Sequence, residues 1–162
     1  MKVTASHPYN ADVDTVFALF SDPDFYSKKF AACGAKNIEM LEFQADGPSV
    51  QFTIKRDMPA NAPSIIKTII GEWNTLIQKE DWGGDPGEEY WNEFDIEAKG
   101  TPVTIKGSMM LRADGDGCVN DVELDIRCTI PLLGGHVEKF VAEDSEESLA
   151  AEYDFVKSAL QT

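Results

Sequence analysis

The chain has 162 residues, of which 43% are hydrophobic and 27% are charged, a composition typical of a soluble globular protein. A chain of this length can bury a core of its own, so we expect a single domain over residues 1–162. It carries 14 Lys and Arg against 29 Asp and Glu, and its formal net charge is −15. Such a charge repels phosphate groups and anionic lipid head groups, which argues against nucleic acid as a partner.

The first residues and the cysteines indicate a cytoplasmic protein. No apolar signal core follows Met1 and Lys2, and no later apolar run reaches the length of a membrane span. We therefore expect no integral membrane contact. The three cysteines, Cys33, Cys118 and Cys128, lack the close pairing of zinc or redox motifs, so reduced thiols are predicted. The sequence also lacks a glycine-rich phosphate loop, and we predict neither a metal nor a cofactor.

One strand and two short helices are predicted at the start of the chain. Residues 2–9 alternate between apolar and polar side chains, as a strand does. Asn10 is predicted to cap a short helix whose apolar residues recur at helical spacing. A second short helix is predicted over residues 24–32, and Gly34 is the glycine that terminates it.

Residues 36–130 predict a series of antiparallel strands separated by turns. Tyr90 and Phe94 alternate with charged residues such as Glu93, so one face of the sheet is dry and the other is wet. The irregular apolar loop over residues 58–64 is a candidate lid. The predicted strands are 36–43, 49–55, 65–70, 73–82, 88–98, 102–112 and 119–130.

A long helix is predicted over residues 136–160, because neither Pro nor Gly interrupts this stretch. Apolar side chains at both of its ends fall in one sector, and Asp144, Ser148 and Glu152 lie in the middle of that sector. A closed core does not readily accept two carboxylates, so we predict a cavity between this helix and the sheet. The alternative is that the middle of the helix is uncovered and these side chains lie in water.

This order of elements resembles that of the START-like superfamily, the birch-pollen-allergen-like helix-grip proteins also called SRPBCC. Residues 11–23 are similar to the V-F-x-L-x-x-D-P first helix of the superfamily, and residues 130–138 resemble the strand-to-helix junction of an uncharacterised bacterial branch. The resemblance implies an α+β fold in which a curved antiparallel β-sheet wraps around a long C-terminal helix. It also implies a pocket for a lipid, sterol, polyketide or other apolar molecule, but no particular reaction.

The predicted function is that of a soluble binding protein for a hydrophobic small molecule or lipid. Aromatic, amide and thioether side chains on the dry face of the central strands could line the pocket, although a closed core would use the same residues. No catalytic residue is assigned. The predicted ligand-binding residues are Tyr90, Asn92, Phe94, Met109, Phe140, Asp144, Ser148 and Glu152.

Two alternative functions remain open. The first is a polyketide cyclase/dehydratase-like or hydrolase-like enzyme that uses His7, Asp144 or Glu152 as acid or base, which requires these groups to converge in one pocket. The second is an interaction module whose acidic surface binds a basic partner, and high salt should then abolish the association. If the helix carboxylates form a buried salt bridge instead, we expect Arg112 or Arg127 as the partner.

Overall fold

The computed structural model describes residues 1–161, which form a seven-stranded sheet and four α-helices. Neighbouring strands are antiparallel, and the strand order is β1-β7-β6-β5-β4-β3-β2. None of the helices within residues 1–161 is long and apolar enough to cross a membrane. The elements are β1 (Lys2–Tyr9), α1 (Val13–Phe20), α2 (Pro23–Ala32), β2 (Lys36–Asp46), β3 (Ser49–Pro59), α3 (Ser64–Ile70), β4 (Trp73–Asp85), β5 (Glu89–Ala98), β6 (Val103–Asp114), β7 (Gly117–Cys128) and α4 (Gly134–Leu160).

Aspartate side chains begin the two short helices. The carboxylate of Asp12 accepts a hydrogen bond from the backbone N–H of Thr15 at 2.8 Å, so α1 starts after Asp12. The prediction of Asn10 as the cap is wrong, since Asn10 lies two residues before this Asp, and both residue types are good caps. Asp22 caps α2 in the same way, with Pro23 at its first position.

Residues 65–70 form a helix, which contradicts the predicted strand. Their β-branched, apolar composition suits a strand, but a run this short does not show whether the period is two or 3.6. Ile66 and Ile70, one helical turn apart, are both buried, and this spacing places them on the same face of α3. Pro63 precedes the helix, and Gly71, with a φ of 80°, ends it.

The long helix α4 is anchored on the concave face of the sheet near its two ends. Val137 and Ala142 are buried in its first third, and Val156 is buried in its last third. Between them, no residue in the range 143–155 has a fully buried side chain. The helix is therefore held at both ends, and its middle lies above a part of the sheet that it does not cover tightly.

The middle of the sheet has close ring-to-backbone packing at Gly107. This residue is the cross-strand partner of Phe94 on the inner face, and the Phe94 ring lies directly over it. A Cβ at position 107 would overlap the ring. Glycine is therefore required for Phe94 to lie flat against β6, where it is 5% exposed.

We expect the substitution Gly107→Ala to lower the free energy of unfolding by about 1–3 kcal/mol, because the methyl group must displace the buried Phe94 ring. Urea unfolding followed by circular dichroism measures the change. Ser108→Ala is the matched control, since Ser108 is exposed on the opposite face of the same strand, and it should change stability by less than about 0.5 kcal/mol. Equal stabilities for the two variants would contradict this packing.

Candidate functional site

A cavity of about 340 Å³ lies between the inner face of the sheet and the middle of α4. Its walls include apolar side chains from the central strands, among them Leu76, Ile96, Ile105 and Leu124. Six of the eight residues predicted to bind a ligand line this cavity. They are Phe94 and Met109 on the sheet, and Phe140, Asp144, Ser148 and Glu152 on α4.

The other two predicted residues, Tyr90 and Asn92, are not among those lining the cavity. The Tyr90 ring stacks on Phe17 of α1 with 3.8 Å between ring centroids, and its hydroxyl donates a hydrogen bond to Asp14 at 2.6 Å. Asn92 donates to the Glu80 carboxylate at 3.0 Å. Both side chains lie on the inner face, as the alternation predicts, but Tyr90 belongs to the end of the sheet that α1 covers.

The rim of the cavity is acidic on the helix side. Asp144 and Glu147 both line the cavity and are exposed to solvent. Partial burial raises the pKa of Asp144, and the nearby charge of Glu147 adds a smaller increase. Across from the helix, residues 58–61 of the predicted lid also line the cavity. The candidate lid thus forms part of the cavity wall. That it opens and closes over the cavity stays a prediction.

An ion pair between two helices forms part of the wall. The Lys29 ammonium of α2 lies 3.1 Å from the Glu152 carboxylate of α4, and their side chains are 6% and 25% exposed. The same ammonium lies 4.0 Å from the centroid of the Tyr26 ring, which gives it a cation–π contact. The ammonium of this buried lysine thus contacts both a carboxylate and an aromatic face.

The expected salt-bridge partners of the helix carboxylates, Arg112 and Arg127, pair elsewhere. Arg112 binds Asp121 at 3.1 Å and Arg127 binds Asp125 at 3.2 Å, and both guanidinium groups are largely exposed. The prediction of these partners is wrong because the outer face of β6 and β7 points away from α4. The actual partner, Lys29, lies on α2. The sequence pattern did not predict a contact between α2 and α4.

A buried carboxylate on β4 lies next to this ion pair. Glu80 is 3% exposed and accepts hydrogen bonds from four neutral side chains. Burial raises the pKa of Glu80, and the Lys29 charge and these donors oppose the shift. The donors are the Tyr26 hydroxyl at 2.8 Å, the Trp82 indole at 2.8 Å, the Asn92 amide at 3.0 Å and the Gln78 amide.

Arg56 is the second buried cation of the cavity wall. Its side chain is 7% exposed, and its guanidinium carbon lies 3.9 Å from the centroid of the Phe30 ring. Burial lowers the pKa of Arg56, while the charges of Glu152 and Glu80 oppose that shift. Sequence reasoning missed this residue because the predicted strand ended at residue 55, whereas β3 continues to Pro59. Glu80 was missed too, although it alternates in register with Gln78 and Trp82.

The only histidine on β1 lies outside this site. The His7 ring stacks on Tyr153 with 4.3 Å between ring centroids, and burial lowers its pKa. It is not among the residues lining the cavity, so it does not converge with Asp144 and Glu152. Within residues 1–161, no three His, Cys, Asp or Glu side chains are placed to hold a metal ion.

We expect Glu152→Leu to lower the free energy of unfolding by about 3 kcal/mol, because it leaves the Lys29 ammonium buried without its counter-charge. The double variant Lys29→Met/Glu152→Leu should recover most of this loss, since it removes both charges together. Glu146→Leu, on the exposed side of the same helix, is the control. Chemical denaturation measures all three variants, and an unchanged stability of the Glu152 single variant would show that the pair has no structural role.

The family model of proteins of unknown function named DUF2505 matches residues 4–160. No curated protein sequence matches the chain. Three similar solved structures are a START superfamily protein from Mycobacterium smegmatis, the protein Ara h 8.0201 and human STARD10.

These structures share the fold at low sequence identity. The M. smegmatis protein is 18% identical with a TM-score of 0.61, and the similarity covers 98% of both chains. Ara h 8.0201 is 14% identical with a TM-score of 0.59 over 98% of both chains. STARD10 is 9% identical with a TM-score of 0.66, over 96% of this chain and 62% of that one. This chain therefore belongs to the DUF2505 family, and its fold is the helix-grip fold of the START and birch-pollen-allergen-like proteins.

Proposed function

We propose that this protein binds a small hydrophobic molecule or lipid in the cavity between the sheet and α4. The observation that carries the proposal is the cavity itself, whose mostly apolar wall also carries polar and charged side chains that could orient a ligand. Its volume of about 340 Å³ lies near the lower end of the range of ligand pockets, about 300–1,000 Å³. The ligand is accordingly a compact molecule or a single chain.

The polar residues of α4 support a binding role over a purely structural one. Asp144 and Ser148 occupy the sector of the helix that faces the sheet, where apolar residues would stabilise the fold more, whereas Glu152 in the same sector is paired with Lys29. Proteins commonly keep such locally unfavourable residues where a function requires them. The similarity of fold agrees with this role, although fold alone does not establish function.

The observed geometry gives no specific support to the enzyme alternative. The imidazole of His7 stacks on Tyr153 and is not among the residues lining the cavity. Glu152 is engaged with Lys29. General acid–base catalysis needs titratable groups within reach of one substrate atom, and this set of residues is not arranged in that way.

A screen of apolar compounds should identify ligands that raise the melting temperature of the purified protein. A ligand that binds only the native state stabilises it by about 2.7 kcal/mol at one hundred times its dissociation constant. Differential scanning fluorimetry with medium-chain lipids, sterols and aromatic polyketide-like compounds measures the shift. If no apolar compound raises the melting temperature, and native mass spectrometry of protein from its own host shows no bound molecule, the proposal fails.

Filling the cavity should abolish binding while leaving the protein folded. We expect Ser148→Trp to weaken the best ligand by at least about tenfold, because the indole occupies the space between α4 and the sheet. The matched control is Ser158→Trp, the same substitution at an exposed position of the same helix. Isothermal titration calorimetry compares the two variants. Equal affinities would place the ligand outside this cavity.

A further inference from the structure

We propose that the ligand is an amphipathic monocarboxylate whose carboxylate binds the guanidinium group of Arg56. The apolar part of this ligand lies along the inner face of β5 and β6, against Ile96 and Ile105. This inference rests on the proposed binding function and names the chemical class of its ligand.

The first observation is the unpaired state of the Arg56 donors. Arg56 lines the cavity and is 7% exposed. Within residues 1–161, neither its Nε nor its Nη1 has a hydrogen-bond acceptor, although both atoms are buried. Buried donors without acceptors are rare in folded proteins, and a charged donor is the most unfavourable case. An acceptor supplied by a ligand would complete this environment.

The guanidinium group packs against an aromatic ring on one side of the cavity wall. Phe30 covers one face of its plane, with 3.9 Å from the guanidinium carbon to the ring centroid. Arg56 pairs with Leu76 across β3 and β4, and the next inward pair is Met58 with Asn74. Asn74 also lines the cavity, and its buried amide oxygen has no hydrogen-bond partner among residues 1–161. Arg56 and Asn74, two polar side chains with unused hydrogen-bonding capacity, thus belong to successive cross-strand pairs on the same face of the sheet.

The nearby carboxylates are committed to other partners. Glu152 forms its ion pair with Lys29 at 3.1 Å. Glu80 accepts its hydrogen bonds from four neutral donors. Their charges oppose the lowering of the Arg56 pKa by burial, but neither carboxylate makes a hydrogen bond to it within residues 1–161. Arg56 is therefore the cation of the cavity wall that is free to receive an anion.

The charge and size of the site select a carboxylate among the anions. A guanidinium group suits a planar carboxylate or a phosphate because its N–H donors are arranged as a rigid fork. Glu80 and Glu152 lie close enough to affect the titration of Arg56, so they repel a dianion more strongly than a monoanion. A phosphomonoester also needs more polar contacts than this mostly apolar wall provides. A single carboxylate on an apolar chain carries only one negative charge and needs few polar contacts, so it fits this site better.

The test compares probes built on an eight-carbon chain that carry different head groups. Isothermal titration calorimetry at neutral pH measures octanoate, octanol, methyl octanoate and octyl phosphate with the wild-type protein. We expect octanoate to bind at least about tenfold more tightly than octanol or the ester, since a charge-assisted hydrogen bond is formed only by the acid. This comparison needs no variant and so does not depend on the folding of a mutant.

The variant Arg56→Met should weaken octanoate by about ten- to a hundredfold and change octanol by less than about threefold. Arg127→Met, at an exposed arginine on the outer face of β7, is the matched control and should change neither affinity. Circular dichroism and a melting curve show that each variant is folded. Arg56→Lys should recover only part of the octanoate affinity, because an ammonium lacks the guanidinium fork.

Three results would overturn the inference. Equal binding of octanoate and octanol by the wild type, or equal losses for both in Arg56→Met, would show that the head group does not contact Arg56 while leaving the proposed binding function intact. Tighter binding of octyl phosphate than of octanoate would identify a phosphate ligand. If neither the eight-carbon probes nor any other apolar compound binds the wild type, the proposed function fails, and this inference fails with it.

Discussion

The structure depends on one packing constraint, which is the attachment of α4 to a concave sheet near its two ends. Val137 and Ala142 secure the first third of the helix, and Val156 secures the last. A helix of this length cannot follow the curvature of the sheet, so the two surfaces separate between these contacts. The space between them is the cavity of about 340 Å³. The cavity is therefore a direct result of the geometry of the fold, and its chemistry is set by the side chains placed there.

Those side chains include more charge than a core of this size usually holds, and most of it is compensated within the wall. Lys29 is paired with Glu152 and lies over Tyr26. Glu80 is surrounded by neutral donors. Each arrangement reduces the free-energy cost of burying an ion, because the lost hydration is replaced by fixed partners. Arg56 has an aromatic partner, but two of its nitrogens have no acceptor in the described part of the chain, so its burial is the least compensated of the three.

The sequence predicted secondary structure correctly where a long segment keeps one hydrophobic period throughout. The long helix is confirmed with its start at Gly134, two residues before the predicted one, and the alternation of β5 to β7 agrees with their buried and exposed faces. It failed where a segment was short, since Ser64–Ile70 is a helix although its composition is that of a strand. Tyr90 and Asn92 show a different limit: their face was predicted correctly, but α1 and Glu80 engage them instead of the cavity.

The sequence by itself determined the order of elements apart from α3, the inner and outer faces of β5 to β7, and the polar stripe within the apolar sector of α4. Each of these follows from the spacing of apolar and polar residues within one element, and that spacing can be read directly from the sequence. Only the tertiary structure decided that Lys29 pairs with Glu152, that Glu80 is enclosed by four donors and that Arg56 faces the cavity. Tyr26 and Glu80 are 54 positions apart in the chain, and Lys29 and Glu152 are still farther apart. Their partners are set by how α2, β3, β4 and α4 meet in space, which no periodicity within a single element records.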